Sequence, residues 1–485
     1  MTINAGIDRE QKDIYGLAHF CEHMLFLGSK KYPNSTHFVD YITQFGGKFN
    51  GYTDFETTGF FFKIHTDRFA NAFEIFSRFF IDPLLSKEYV DKEVNSVNSE
   101  FERNIQLDAK RKEMILRNIA DPDSLFHRFS TGNKNTLSEY ANKNKIDLRE
   151  KVFDFYTKNY RPDNMKLIVY GNKEVEFYRD FIIEKFKDLK KPEIPMEEKQ
   201  YKKLPWEYFK LGKLVLYETI NNHQEIDISF MIEDMFDSLP DNSGLYFKTL
   251  LNYQGQGSLD DILRKNGLIA GIKASLRKTH KGFSLFKLKG YCTTRGMKNL
   301  DKVISIIFKY IKFMKKKAID KKLYDYTKKI FDIAFYYNNK KKQLAKILKM
   351  YCGVVWNYNP KFWLSQNIIL NEYNEANLIK FGNKLVLKNA IVMLGNKTFN
   401  QITDNYNSFM QDFSKEEISL NETAPFYNTK YIQKTFKLDF INLLDEGKEE
   451  DNIKGKKLKL FTNKKSLPSK INLVKECKKG EKKNV

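Results

Sequence analysis

The residues His19-Phe20-Cys21-Glu22-His23 read H-x-x-E-H, a spacing suited to metal-assisted hydrolysis. On a helix, positions i and i+4 lie one turn apart on one face, so both imidazoles can reach a single ion. Glu22 adjoins His23 and can approach the open side of that ion without ligating it. A catalytic zinc takes three protein ligands and a water, lowers the pKa of that water to about 7, and leaves a nearby carboxylate to take the proton. Only seven histidines occur in 485 residues, so the pattern is not a by-product of a histidine-rich composition. The competing reading is a pair of histidines packed on a buried helix. Cys21 stands between the two, either as a small buried apolar residue or as a thiol that would make the site sensitive to oxidation.

A third ligand has to come from elsewhere. Glu93 and Glu100 are two helical turns apart and share a face. That face flanks an apolar stripe of Val90, Val94, Val97 and Phe101. A buried carboxylate is costly unless paired or metal-bound, so one of the two is the natural third ligand. The other would orient the ligands or stabilise charge. Spacing does not say which is which, and two glutamates on a lysine-bearing helix also fit a solvated face.

These residues need elements to hold them. The segment from about Tyr15 to Leu27 reads as an apolar helix, preceded by a strand stub at residues 1–6. Phe49 to Thr53 and Gly59 to His65 read as two strands joined by the polar turn Asp54-Phe55-Glu56-Thr57. Asp67 is expected to cap a helix with the stripe Phe69, Phe73, Phe76 and Phe80. Another helix starts near Ser86 and carries the two glutamates. Further on, Asn164 to Lys173 (NMKLIVYGNK) and Asn389 to Lys397 (NAIVMLGNK) form an internal repeat, each a short apolar strand closed by Gly-Asn-Lys. The repeat predicts two copies of one α+β domain, residues 1–195 and 196–446, with the boundary in the polar stretch from Lys190 to Lys203. Residues 447–485 are rich in lysine and read as a linker or solvated tail.

The run Gly16 to Gly28 (GLAHFCEHMLFLG) is followed by Lys30-Lys31-Tyr32-Pro33, Glu93 to Glu100 (EVNSVNSE) and Phe129-Ser130-Thr131-Gly132-Asn133. Together these resemble the pitrilysin/insulinase family of zinc metallopeptidases, and its insulinase branch most closely, over residues 1–175. The resemblance implies two homologous domains, each a mostly antiparallel sheet with helices packed on one face, as in processing peptidases. It implies a zinc endopeptidase with one Zn2+ per chain on His19, His23 and Glu100, Glu22 as general base and Glu93 in support. It further implies that an edge strand with the signature Asn50-Gly51-Tyr52-Thr53 pairs with the backbone of a peptide or unfolded polypeptide substrate, as exposed strand edges do. Phe26, one turn past His23, would line the adjacent side-chain pocket or pack in the core.

The chain also departs from the family pattern. Asn252 to Ser258 (NYQGQGS) keeps the glycines but not the His and Glu associated with anchoring a substrate's amino end. No second H-x-x-E-H occurs. The insulinase branch carries four such domains, whereas two are expected here, the first lacking its initial strand. A second two-domain chain or a homodimer is therefore the expected partner, and a non-catalytic binding subunit is the alternative.

Composition bounds the remaining classes. Hydrophobic residues make up 41% of the sequence, as in a globular protein. The net charge of +22 would attract phosphate backbones, anionic membranes or acidic peptides. The lysines are scattered, however, and no basic stripe carries stacking aromatics, so nucleic acid is not an expected partner. The four cysteines, at 21, 292, 352 and 477, form no C-x-x-C pair and suggest no disulfide framework. A reducing compartment follows, with the cytoplasm as the expected location. No run is long enough for a membrane span.

Overall fold

The computed structural model describes the chain except residues 12–13, 190–191, 198, 200, 202, 209–210, 234–241, 338–357, 366–367, 400–403, 412–419, 449–451, 454 and 461–485. Cys352, Cys477 and residues 190, 191, 198, 200 and 202 of the expected boundary stretch thus lie outside the described residues.

The first sheet holds β1 (Thr2–Ile3), β2 (Lys48–Thr53), β3 (Thr58–Lys63) and β4 (Met165–Lys166) in the order β2-β3-β1-β4. Every pairing in it is antiparallel, and β2 forms one edge. Five helices matter for the site: α1 (Leu17–Leu25), α2 (His37–Gln44), α3 (Phe69–Ile81), α4 (Val90–Ile105) and α5 (Asp108–Asn118). The expected phenylalanine stripe is real, since Phe73, Phe76 and Phe80 are buried, joined by Phe79. With Phe20, Met24, Leu25 and Phe60 they form the core that fixes α1 against the sheet. Asp67 does not cap α3. It falls in a 3-10 turn, Thr66–Arg68, the N-cap position is Arg68, and no side chain bonds the first amides.

The second sheet has seven strands: β5 (Lys213–Glu218), β6 (Glu225–Glu233), β7 (Ile269–His280), β8 (Phe283–Cys292), β9 (Ala390–Asn396), β10 (Glu422–Ala424) and β11 (Thr429–Thr435). Its order is β10-β11-β5-β9-β6-β8-β7, and only β5 and β9 run parallel. Successive side chains on a strand point to opposite faces. Accordingly Leu214, Leu216, Phe230, Val392 and Leu394 enter a core with the helices of this unit. Val215, Tyr217, Met231, Ile391 and Met393 enter a second core shared with the first unit.

That shared core also takes in part of the turn between β2 and β3. In the polar turn Asp54-Phe55-Glu56-Thr57, Asp54 is exposed but Phe55 is only 1% exposed. Its ring packs on Phe126 at 5.8 Å, and Glu56 accepts the Lys281 amide at 2.7 Å. The β2–β3 turn is thus buried against the second sheet, which local sequence could not show.

The two repeat segments differ in extent, the first a strand only at Met165–Lys166 and the second over Ala390–Asn396, but they share one device. The Asn164 amide donates to the carbonyls of Asn159 and Asn4 at 2.9 and 3.2 Å. The Asn389 amide donates to those of Lys384 and Met231 at 2.9 and 2.8 Å. In each copy an asparagine ties a carbonyl five residues back to a neighbouring strand. The lysine-rich segment is corrected in part. Ile453, Leu458 and Leu460 are buried in the second unit's helical core, and the Lys459 amide donates to Gly257 at 2.9 Å. These three side chains are therefore packed, while Gly455, Lys457 and Lys459 are exposed. Among the described residues no helix is long and apolar enough to cross a membrane.

Candidate active site

Helix α1 begins at Gly16, whose φ of 88° is a left-handed conformation that glycine adopts without penalty. Here the chain crosses the chain at Gly132: a Cβ on Gly16 would lie 2.3 Å from the Gly132 Cα. The close crossing carries the Thr131 carbonyl to His19, whose Nδ1 meets it at 2.7 Å. Buried Glu10 accepts the first amides of the helix, from Ala18 at 2.9 Å and Gly16 at 3.4 Å. Burial pushes that carboxyl up to about 8, and the two amides oppose the shift.

Helix α4 lies across α1 and brings both glutamates to the histidines. The Glu100 Oε2 stands 3.5 Å from His19 Nε2 and 3.8 Å from His23 Nε2. Glu93 turns to the other side of His23, its Oε2 3.2 Å from Nδ1. The structure thus separates two residues that spacing could not. A carbonyl oxygen can only accept, so His19 holds its proton on Nδ1 and leaves Nε2 free. Glu93 favours the same tautomer in neutral His23. Both Nε2 lone pairs and the Glu100 oxygen then face one point, with all three ligand atoms within 4.8 Å of one another.

Two imidazoles and one carboxylate are a donor set that catalytic zinc takes, and tetrahedral bonds of about 2.0–2.1 Å would place neighbouring donors roughly 3.3 Å apart. The Glu100 separations of 3.5 and 3.8 Å lie near that spacing, so the donor set suits one ion. The protons report the same convergence. The hydrogen bond from His23 holds the Glu100 carboxyl down to about 2. Burial works against charge on His23, but the bonds to Glu100 and Glu93 outweigh it and raise its pKa to about 9. His19 is lowered, first by burial and then by His23.

Glu22 faces β2. Its Oε2 accepts the Thr53 hydroxyl at 2.7 Å. Its Oε1 lies where a side chain at residue 51 would be, since a Cβ on Gly51 would approach it to 2.2 Å. Burial pushes the Glu22 carboxyl up to about 7, with Thr53 opposing. A carboxyl with that pKa exchanges protons readily near neutral pH.

The other expected positions fall as follows. Asn50 is exposed on β2, which pairs with β3 alone. The Tyr52 ring lies across Gly59, its partner on β3. Phe26 packs on Phe79, Phe49, Phe60 and Phe38 at 5.3, 5.6, 5.7 and 6.0 Å, the surroundings of a core side chain. Cys21 is fully buried and its thiol is pushed far up by burial, as for a packing residue. Asn252, in the altered glycine-rich stretch, bonds both backbone groups of Ala274 on β7, at 2.7 and 2.9 Å. Thr53, Thr131, Gly16 and Gly132 all sat inside the motifs read from sequence, but their roles depend on contacts across the fold. Glu10 had no signal beyond being an acid ahead of a helix.

Comparison with known proteins agrees with this geometry. The model of the insulinase family of peptidases (family M16) matches residues 1–123, and that of the family's inactive domain matches residues 147–331. The chain belongs to the insulinase family. Insulin-degrading enzyme of Drosophila melanogaster is 30% identical over 345 residues, 70% of this chain and 34% of that protein. The human enzyme is 26% identical over 90% of this chain and 43% of its own length. The A-factor-processing enzyme of Saccharomyces cerevisiae is 28% identical over 81% and 38%. The chain therefore spans well under half the length of these relatives. Pitrilysin superposes with a TM-score of 0.84 at 22% identity, over 98% of this chain and 48% of its own. The first half of the periplasmic protease PqqL of Escherichia coli superposes at 0.64 and 15% identity, over 82% and 86%. These structures share the two-unit α+β fold.

Proposed function

We propose that this insulinase-family chain carries the catalytic centre of a zinc endopeptidase acting on short or unfolded polypeptides. One observation carries the reading: His19, His23 and Glu100 turn their free ligand atoms to one point, with the Glu22 carboxyl beside them at the edge strand. A relative from Schizosaccharomyces pombe, 28% identical over 335 residues, bears the name putative zinc protease, in keeping with this donor set.

His19, His23 and Glu100 would hold the ion, and Glu93 and the Thr131 carbonyl would keep the imidazoles in the ligating tautomer. Zinc bound there would supply Lewis-acid polarisation of the scissile carbonyl and of a water molecule. Glu22 takes the proton of the attacking water and delivers it to the leaving amine. Thr53 holds the Glu22 carboxyl in place through that exchange. The outer edge of β2, at Asn50 to Tyr52, offers main-chain donors and acceptors to an extended peptide whatever its sequence. Glu22→Gln should keep its zinc and lose hydrolysis of an unstructured fluorogenic peptide. Unchanged turnover in that variant would sink the proposal.

A second reading rests on length. The chain corresponds to 34–43% of its curated relatives, and one structural neighbour is itself described as the first half of a protease. On this reading the chain works with a partner, a second two-domain chain or another copy of itself. Turnover by the purified chain alone, at the rate seen with a partner present, would exclude it.

A further inference from the structure

The turn between β10 and β11, Pro425-Phe426-Tyr427-Asn428, leaves the second sheet and reaches the elements that hold the metal-binding residues. The Tyr427 ring stacks on Phe101 at 5.4 Å and 16°, and Phe101 follows Glu100 directly in α4. The Phe426 ring stacks on Phe129 at 3.9 Å and 10°. Phe129 stands two residues before Thr131, whose carbonyl fixes His19. The Tyr427 carbonyl accepts from Arg111 of α5 at 3.3 Å, and its ring meets Phe129 edge-on at 6.1 Å. Phe101 and Phe129 themselves meet edge-on at 5.9 Å. Phe101, Met114, Phe129 and Tyr427 form a small buried cluster distinct from the three main cores.

The backbone of the turn shows the same emphasis. Phe426 and Asn428 have φ of 66° and 49°. A bulky residue takes that conformation only where surrounding contacts fix it. Here the contact fixed is the stack on Phe129.

We propose that the β10–β11 turn positions the metal site. Tyr427 and Phe426 lock α4 to the segment 129–131, so that Glu100 and the Thr131-held His19 keep their common focus. Tyr427 is a positioning residue, since it acts through Phe101 and Phe129 and touches neither metal nor substrate. The inference rests on the reading of His19, His23 and Glu100 as zinc ligands. It adds that the second sheet, which supplies no ligand, sets the affinity of the site.

The test compares zinc affinity, by competition with a chromophoric chelator, and the visible spectrum of the cobalt-substituted protein. The proteins are wild type, Tyr427→Ala, Tyr427→Phe and Leu250→Ala. Loss of a supporting group behind metal ligands weakens binding roughly 10–100-fold, which is the expectation for Tyr427→Ala, with an altered cobalt spectrum. Tyr427→Phe keeps the ring on Phe101 and should restore most of the affinity. Leu250→Ala opens a cavity in the separate helical core and should lower the melting temperature while leaving affinity and spectrum unchanged. Should Tyr427→Ala not fold, Phe129→Leu trims the same cluster and carries the same expectation. Wild-type affinity and spectrum in Tyr427→Ala, or an equal loss in Leu250→Ala, would overturn the positioning role alone. Failure of the wild-type protein to bind zinc would instead overturn the metal site, and this inference with it.

Discussion

Gly51→Ala tests the relation between the edge strand and the general base. A Cβ at residue 51 would sit 2.2 Å from Glu22 Oε1, 2.8 Å from Cδ and 3.0 Å from Cγ. Ordinary contact begins near 3.4 Å, so the carboxyl must retreat by more than 1 Å or β2 must move out. The backbone at residue 51 is ordinary strand without a positive φ, so alanine itself brings no strain. The three atoms nearest the new methyl all belong to Glu22, which is not one of the proposed ligands, and zinc should stay bound. Misplacing a catalytic group by about 1 Å costs on the order of 10²-fold in rate. That corresponds to about 2.7 kcal/mol of transition-state stabilisation. The expected result is therefore kcat/KM down by about two orders of magnitude on an unstructured fluorogenic peptide, with zinc content and melting temperature close to wild type. Thr53 should not rescue the variant, because its bond at 2.7 Å draws the same carboxyl toward β2. The effect should vanish in a Glu22→Gln background, since groups acting through one another are not additive. Wild-type kcat/KM in Gly51→Ala, or activity lost only in step with zinc, would refute the placement of Glu22 against β2.

Two further outcomes follow from the same geometry. Glu100→Ala should lose zinc, whereas Glu93→Ala should bind it more weakly without abolishing the site, because Glu93 faces Nδ1 of His23 rather than Nε2. Metal analysis of the two variants decides this, and the reverse order would exchange their roles. Glu56 gives a pH prediction away from the site. Burial raises its carboxyl from 4.5 to about 8. Between those values the group is protonated in the fold and ionised in the unfolded chain, so stability falls as pH rises through that window. Glu56→Gln should remove that term, and its melting temperature should exceed that of wild type by more at pH 8.5 than at pH 5.5. An equal difference at both values would show that Glu56 does not titrate with unfolding.

Much of the site was legible because it is local. H-x-x-E-H fixes two imidazoles and a carboxylate on one short helix, and the period of 3.6 residues alone puts His19 and His23 on the same face. The apolar stripes of α3 and α4 were equally plain, as one side of each helix must meet a core. The turn at residues 54–57 was read correctly as a turn, but its surroundings were not legible, for the opposite reason. Its polarity matched a surface loop, but the second sheet arrives there from more than 200 residues away and buries Phe55 and Glu56. Ile453, Leu458 and Leu460 were hidden likewise, outnumbered locally by lysines yet buried once a core lay beneath them.

The two glutamates mark the division most clearly. The sequence by itself determined that Glu93 and Glu100 share a face two turns apart, which is about 10.5 Å along the helix axis. It also put forward Glu22 as base, His19 and His23 as ligands and, through the family resemblance, Glu100 as the third. Only the tertiary structure decided what each carboxylate touches, because that depends on where α4 crosses α1 and not on the period of either. The same holds for the Thr131 carbonyl, which orients His19 from 112 residues away, and for the Tyr427 turn, which braces both supports from the second sheet. Helical period is encoded in neighbouring residues. The convergence of three ligands is a property of packed elements, and it exists only once the cores between them have formed.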